Sequence, residues 1–280
     1  MTENNDVPNP WEQKNQQMDA IKERMSQIKH KIAVISGKGG VGKSLVTVNL
    51  ATSLAKNGRD GKVGVFDADL TGPCVPKMLG LKGSRLQSGP AGIGPAEGPM
   101  GIKTVSMDFL LPSDESPVVW RGPLKMGAIR QLLGEVAWGQ LDYLLVDLPP
   151  GTGDESLSIL QLLPEMDGVI IVTIPSEVSQ AVVKKAVTFA REMKVPILGI
   201  VENMAGMICP HCGEMIEVFS KGGGAKVSDE MDVDLLGSIP MDPRIAADSD
   251  LGVPFVISHP DSPAAKAFSQ IVKKIEDRIG

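Results

Sequence analysis

Residues Gly37-Lys38-Gly39-Gly40-Val41-Gly42-Lys43-Ser44 constrain this chain more than any other stretch. A glycine, four free positions, then glycine, lysine and serine is the spacing of a loop that wraps a polyphosphate. Its flanks agree. Residues 31–36 read as a short apolar strand, and residues 45–56 carry helical periodicity. Glycines let successive backbone N–H groups turn inward, and the helix that follows adds its dipole. Lys43 then supplies a full positive charge and Ser44 a hydroxyl for Mg²⁺. A glycine-rich turn of another kind would not need strand, loop, Lys-Ser and helix in one register. The stretch implies nucleotide binding.

With 280 residues and 42% hydrophobic content, the chain is long enough to bury a full core, most simply as one large α/β domain. A net charge of −6 gives no electrostatic case for nucleic acid or an anionic membrane. Apolar runs such as residues 168–174 are far too short to span a bilayer. The polar N-terminus lacks the basic-then-apolar order of a secretion signal. Three cysteines, Cys74, Cys209 and Cys212, make no disulfide framework. A cytoplasmic location is expected.

Along the chain, Met18, Ile21, Met25 and Ile28 fall three and four apart, predicting a helical arm over residues 1–30 that packs on the domain surface. Residues 62–66 predict a strand delivering Asp67-Ala68-Asp69 at its carboxyl end, where ligands of open α/β sheets sit. Two carboxylates there suit metal-bound water and an attacking water. Glycines and prolines over residues 80–99 predict an irregular loop or hairpin, and residues 102–107 a strand. Residues 143–148 form a buried-type strand that presents Asp147, the place where a phosphate-loop ATPase holds magnesium. Gly151 and Gly153 give the next turn the freedom of a γ-phosphate switch. Alternation continues through strands at 168–174 and 197–201 and a helix at 177–193. The amphipathic helix at 262–279 balances Lys273 and Lys274 with Glu276 and Asp277, which favours packing over membrane contact.

Cys209-Pro210-His211-Cys212-Gly213 lies in a stretch that reads as irregular. Two thiolates at this spacing chelate one metal centre, but structural zinc and iron–sulfur clusters take four protein ligands. Half a zinc ribbon, a redox dithiol, or a centre completed by a second chain on a two-fold axis all fit the pair alone.

Lys38, directly after the first glycine, gives the loop a second lysine. So configured, it resembles the dimeric ATPases that include nitrogenase iron protein, the Min and Par ATPases and the Mrp/ApbC iron–sulfur carriers. Leu70 to Pro76, the segment at 118–123 with Trp120 and Arg121, the run Pro149-Pro150-Gly151-Thr152-Gly153-Asp154 and the cysteine loop all resemble the Mrp/ApbC branch. The resemblance implies a phosphate-loop NTPase fold, a mostly parallel sheet flanked by helices on both faces. It implies a single ATPase domain over residues 31–280 with a metal loop at 204–216. Lys38 would reach a partner subunit's nucleotide and Asp69 would be catalytic. Asn203 and the Pro240-Met241-Asp242 loop would contact adenine, while Arg121 would touch nucleotide or the dimer surface, or be structural. Cys209 and Cys212 would hold a [4Fe–4S] cluster across a homodimer, with His211 a spacer. Cys74 stands where serine is usual, and reads as a small, partly buried side chain. The implied protein binds Mg·ATP, hydrolyses it slowly, receives a cluster from an upstream donor and passes it to apo-proteins. A Min/Par-like positioning ATPase with structural zinc and a cluster-assembly scaffold are the alternatives.

Overall fold

The computed structural model describes residues 10–69, 72–111, 122–209, 211–219 and 222–280. Leu70, Thr71, Trp120, Arg121 and Pro210, all part of the sequence reading, lie outside these bounds, as do residues 1–9.

Helix α1 (Pro10–Met25) leads into β1 (Ile28–Ser36), α2 (Lys43–Lys56), β2 (Val63–Asp67) and the single turn α3 (Val75–Met78). A small hairpin of β3 (Gln87–Gly89) and β4 (Gly92–Gly94) follows, then β5 (Ala96–Glu97) and β6 (Lys103–Ser106). Next come α4 (Gly122–Glu135), β7 (Leu141–Asp147), α5 (Asp154–Leu162), β8 (Gly168–Thr173), α6 (Glu177–Glu192) and the long β9 (Ile197–Ile208). The chain closes with β10 (Met215–Ile216), α7 (Gly223–Met231), β11 (Leu235–Met241), α8 (Arg244–Leu251), α9 (Phe255–Ser258) and α10 (Pro263–Ile279).

The main sheet runs β9-β8-β1-β7-β2-β6-β5, with β11 also on β9. Its pairings are parallel except for the short strands β5 and β10, which lie antiparallel to β6 and β9. Successive strand residues face opposite sides, so each central strand feeds two apolar layers. Ala33, Ile35, Leu144 and Val146 pack towards Ile21, Ile129, Ile159 and Val187 of α1, α4, α5 and α6. Ile32, Val34 and Leu145 pack towards Leu50, Leu54, Phe268 and Val272 of α2 and α10. This is the layered sheet expected from the alternation of elements.

Two local expectations change. The predicted helix through residue 30 ends at Met25, and Ile28 opens β1 opposite Leu141. Ile21, Met25 and Ile28 all enter one core layer, which is why the apolar spacing continues across the junction. Ile21 and Met25 are fully buried, so the inner face of α1 packs into the core. The cysteine segment is also more regular than its sequence reads. β9 continues to Ile208 and β10 folds back on it, Ile208 facing Met215 and Met207 facing Ile216, so the pair sits on a hairpin.

Parallel register aligns the carboxyl ends of the strands. Asp67 lies between Asp147 of β7 and Ser106 of β6, and β1 ends beside them at Ser36.

Candidate nucleotide site and cysteine hairpin

The loop between β1 and α2 makes its turn with Gly40 and Gly42 in the left-handed region, at φ 78° and 80°. Gly42 is also the N-cap of α2 and has no side chain to spend on the first-turn amides, which stay oriented for an anion. A β-carbon on Gly42 would lie 2.3 Å from Asn203 Nδ2, so the loop and the end of β9 touch here. Asn203 Nδ2 donates to the Val41 carbonyl at 2.9 Å. That bond fixes the amide and leaves its oxygen as an acceptor.

Lys43 is buried, and its Nζ donates to Asp147 Oδ2 at 2.7 Å. Ser44 Oγ donates to the same oxygen at 2.5 Å, and Thr47 Oγ1 donates to Oδ1 at 2.7 Å. Asp147 is wholly buried, and this triple donation with one full cation is what makes its burial tolerable. Beside it, Asp67 accepts from Ser106 Oγ at 3.1 Å and from the Asp69 amide at 3.2 Å. Burial first, and then the neighbouring Asp147, hold the Asp67 carboxyl well above the usual carboxylate range.

A cavity of about 230 Å³ opens in front of these groups, lined by Gly39, Gly40, Val41, Gly42, Lys43, Ser44, Asp69, Cys74 and Pro150 among others. The two strand-end acids therefore part company: Asp69 faces the cavity, with Oδ1 accepting from the Gly72 amide at 3.3 Å, while Asp67 sits behind it. Gly37 and the half-exposed Lys38 do not line the cavity. Cys74 stands at the cavity wall, its residue surface exposed but its thiol partly withdrawn from water. The water its thiol loses, together with Asp67, Asp69 and Asp147, pushes its pKa up and disfavours thiolate.

A second recess of about 380 Å³ adjoins the loop and brings together Gly42, Leu45, Asn203, Met204, Met207, Pro240 and Asp242. Its walls are mostly apolar with a few fixed polar groups, the composition of a slot for a flat heterocycle. Residues 203, 240 and 242, far apart in sequence, meet here. Asp242 is gripped by Arg244, whose hydrogen bonds hold its carboxyl below the usual carboxylate range.

Cys209 lies six residues beyond Asn203, just past the end of β9, at most about 20 Å away. Between them Met204 takes a left-handed φ of 57°, and β9 inserts extra residues where β11 passes from Ile239 to Met241. That bulge lets the hairpin leave the plane of the sheet. The tip is a tight knuckle: the Cys209 amide donates to the Glu214 carbonyl at 2.8 Å and the Gly213 amide to the Cys209 carbonyl at 2.9 Å. Cys209 is half-exposed and Cys212 exposed. The backbone amides of Cys212 and His211, then the Cys212 thiol, lower the Cys209 pKa and favour thiolate. Among the described residues, no third histidine, cysteine, aspartate or glutamate joins the pair.

Sequence reading missed Thr47, Ser106, Glu202 and Arg244. Thr47 alone had a local signal, since it falls one helical turn after Lys43 and so shares its face of α2.

A parallel sheet with this loop at the end of β1 and an acid at the end of β7 defines a phosphate-loop NTPase. The chain belongs to the family described as NUBPL iron-transfer P-loop NTPases, whose model matches residues 27–276. It is 55% identical over 265 residues to the iron-sulfur cluster carrier protein of Saccharolobus solfataricus, covering 93% of this chain and 89% of that one. It is 53% identical to the carrier of Methanocaldococcus jannaschii, covering 94% and 90%. Among solved structures it resembles a nucleotide-binding protein of Archaeoglobus fulgidus in complex with ADP, with 44% identity and a TM-score of 0.75 over 84% of this chain and 91% of that one. MinD of Pyrococcus horikoshii with Mg-ADP aligns at a TM-score of 0.64 and 25% identity, over 90% and 98% of the two chains. The Mrp/ApbC resemblance read from the motifs agrees with these relatives.

Proposed function

We propose that the chain is an ATP-driven iron–sulfur carrier that binds Mg·ATP between the loop and the base slot, hydrolyses it slowly as a homodimer, and holds a labile [4Fe–4S] cluster for apo-proteins. The observation that carries this reading is β9, which ties to the phosphate loop at Asn203 and ends in the cysteine knuckle. The ADP held by the Archaeoglobus protein and the names of the curated relatives support the two halves separately.

Ser44 Oγ and Asp147 Oδ2 lie 2.5 Å apart, and as hard oxygen ligands they would hold Mg²⁺ together with the phosphates. When bound, that ion neutralises phosphate charge. Lys43 turns from Asp147 to the terminal phosphates, and the α2 amides receive the remaining oxygens. Asp69, at the cavity wall, accepts a hydrogen bond from the attacking water and aligns it. In the slot, Asn203 Oδ1 and Asp242 are acceptors, which suits the 6-amino group of adenine and opposes the 6-oxo group of guanine. Lys38, which does not line its own cavity, reaches the partner's nucleotide.

The cluster is cargo. Two thiolates per chain leave a four-ligand centre half complete, so two copies of the knuckle meet on the two-fold axis. Anaerobic reconstitution followed by iron and sulfide assay, visible absorption and native mass tests this. One cluster per two chains, lost in Cys209→Ala or Cys212→Ala and kept in Cys74→Ala, is the expected result. A full complement on monomers, or zinc without sulfide, refutes it.

A further inference from the structure

We propose that Arg244 sets the purine preference of the base slot, as a positioning residue that holds Asp242 in place as a hydrogen-bond acceptor. The inference rests on the reading of that recess as an adenine slot.

Asp242 and Arg244 are joined by more than an ordinary surface ion pair. The Arg244 amide donates to Asp242 Oδ1 at 3.1 Å and Nε to the same oxygen at 2.9 Å, while Nη2 donates to Oδ2 at 2.6 Å. Both carboxylate oxygens are thereby oriented by one rigid fork, a geometry lysine cannot reproduce. The guanidinium is itself held: its carbon lies 5.8 Å over the Phe255 ring, and Nη1 is 3.3 Å from His259 Nδ1. His259 packs at 5.0 Å against the same Phe255 ring, and its Nε2 stands 3.4 Å from Asp248. The chain Asp248–His259–Arg244–Asp242 therefore starts on α8 and α9 and ends at the slot.

Two consequences follow for the base. Asp242 stays an ionised, acceptor-only group beside Asn203, in the wall formed with Pro240, Met204 and Met207. Arg244 spends its Nε–H and one Nη2–H on Asp242 and turns one Nη1–H to His259, and the guanidinium itself does not line the slot, so what the slot wall presents here is the Asp242 acceptor. Without the fork, Asp242 rotates freely towards water, and an acceptor in the slot is no longer aimed.

The test is calorimetric titration of the full chain with ADP and with GDP, for wild type, Arg244→Gln, Arg244→Lys, Asp242→Asn and the Arg244→Gln/Asp242→Asn pair. Arg244→Gln is expected to weaken ADP about 3- to 10-fold, the value of an aimed hydrogen bond, with GDP unchanged. Arg244→Lys should fall between, because it keeps the charge and loses the fork. The double variant should be no worse than the weaker single one, since both act through one carboxylate. A wild-type ADP-to-GDP ratio in Arg244→Gln, with that ratio changed in Asp242→Asn, overturns the role of Arg244 alone. An unchanged ratio in Asp242→Asn overturns the slot reading itself and this inference with it. Should Arg244→Gln fail to fold, an unchanged ratio in Arg244→Lys overturns the inference.

Discussion

Asp147 gathers the Lys43, Ser44 and Thr47 donors onto one buried carboxylate. Lys43 and Ser44 share Oδ2, while Thr47 takes Oδ1. Lys43→Ala should therefore abolish nucleotide binding and also destabilise the free protein, leaving a buried carboxylate without its cation, by about 3 kcal/mol or more. Equilibrium dialysis and thermal melting measure the two effects, and loss of one without the other contradicts the dual role. Asp69→Asn should bind ATP normally and turn over about 100-fold or more slowly, the scale of losing an aligning base. Unimpaired steady-state hydrolysis removes that assignment. The cysteines give a pH prediction. Amides lower the Cys209 pKa, whereas burial and three carboxylates raise that of Cys74. Thiolate therefore persists to lower pH at Cys209, and its alkylation by iodoacetamide should begin at lower pH than that of Cys74. Mass spectrometry of peptides alkylated across a pH series resolves the two, and the reverse order would disprove it.

At the scale of elements, β9 carries most of what the sequence hid. Its neighbours Glu202 and Asn203 face opposite sides: Asn203 anchors the phosphate loop, and Glu202 accepts from the Gly224 amide at 2.6 Å and Ser238 Oγ at 3.0 Å. The carboxylate thus caps the first turn of α7 from within the fold, and Glu202→Ala should leave an amide and a hydroxyl unpaired. The expected cost is about 1–3 kcal/mol, seen as a lower Tm with nucleotide affinity nearly unchanged; equal loss of both would place Glu202 in the nucleotide site. Nothing local marks this role, because its partners lie 22 and 36 residues away. The same holds for Ser106 on Asp67, 39 residues apart. By contrast, the phosphate loop, the strand-end acids and the strand–helix alternation were legible because each is written in consecutive residues with a single period. The α1–β1 junction misled for the opposite reason: helix and strand feed one core layer, so Ile28 continues a stripe its backbone has already left. The hairpin was illegible because its residues are mostly exposed and carry no apolar alternation.

For the whole molecule, the decisive question is whether one active site belongs to two chains. Lys38 follows the first loop glycine, is half-exposed, and does not line its own cavity, whereas Lys43 is buried and lines it. Two lysines so close in sequence but so differently placed are expected to do different work. Lys38→Ala should bind ATP with near wild-type affinity and fail to hydrolyse it, and Asp69→Asn should do the same for a different reason. Mixed together, the two inactive proteins form hybrid dimers in which one chain's intact Lys38 faces the other chain's intact Asp69. An equal mixture with random exchange makes about half the dimers hybrid, each with one complete site, so about a quarter of wild-type turnover should return. If Lys38 served only its own chain, every site in the mixture would still lack either its lysine or its aspartate, and turnover would stay at the background of the separate variants. Native mass measurement of differentially labelled chains establishes that hybrids have formed, and hybrids without recovered activity would rule out action across the dimer.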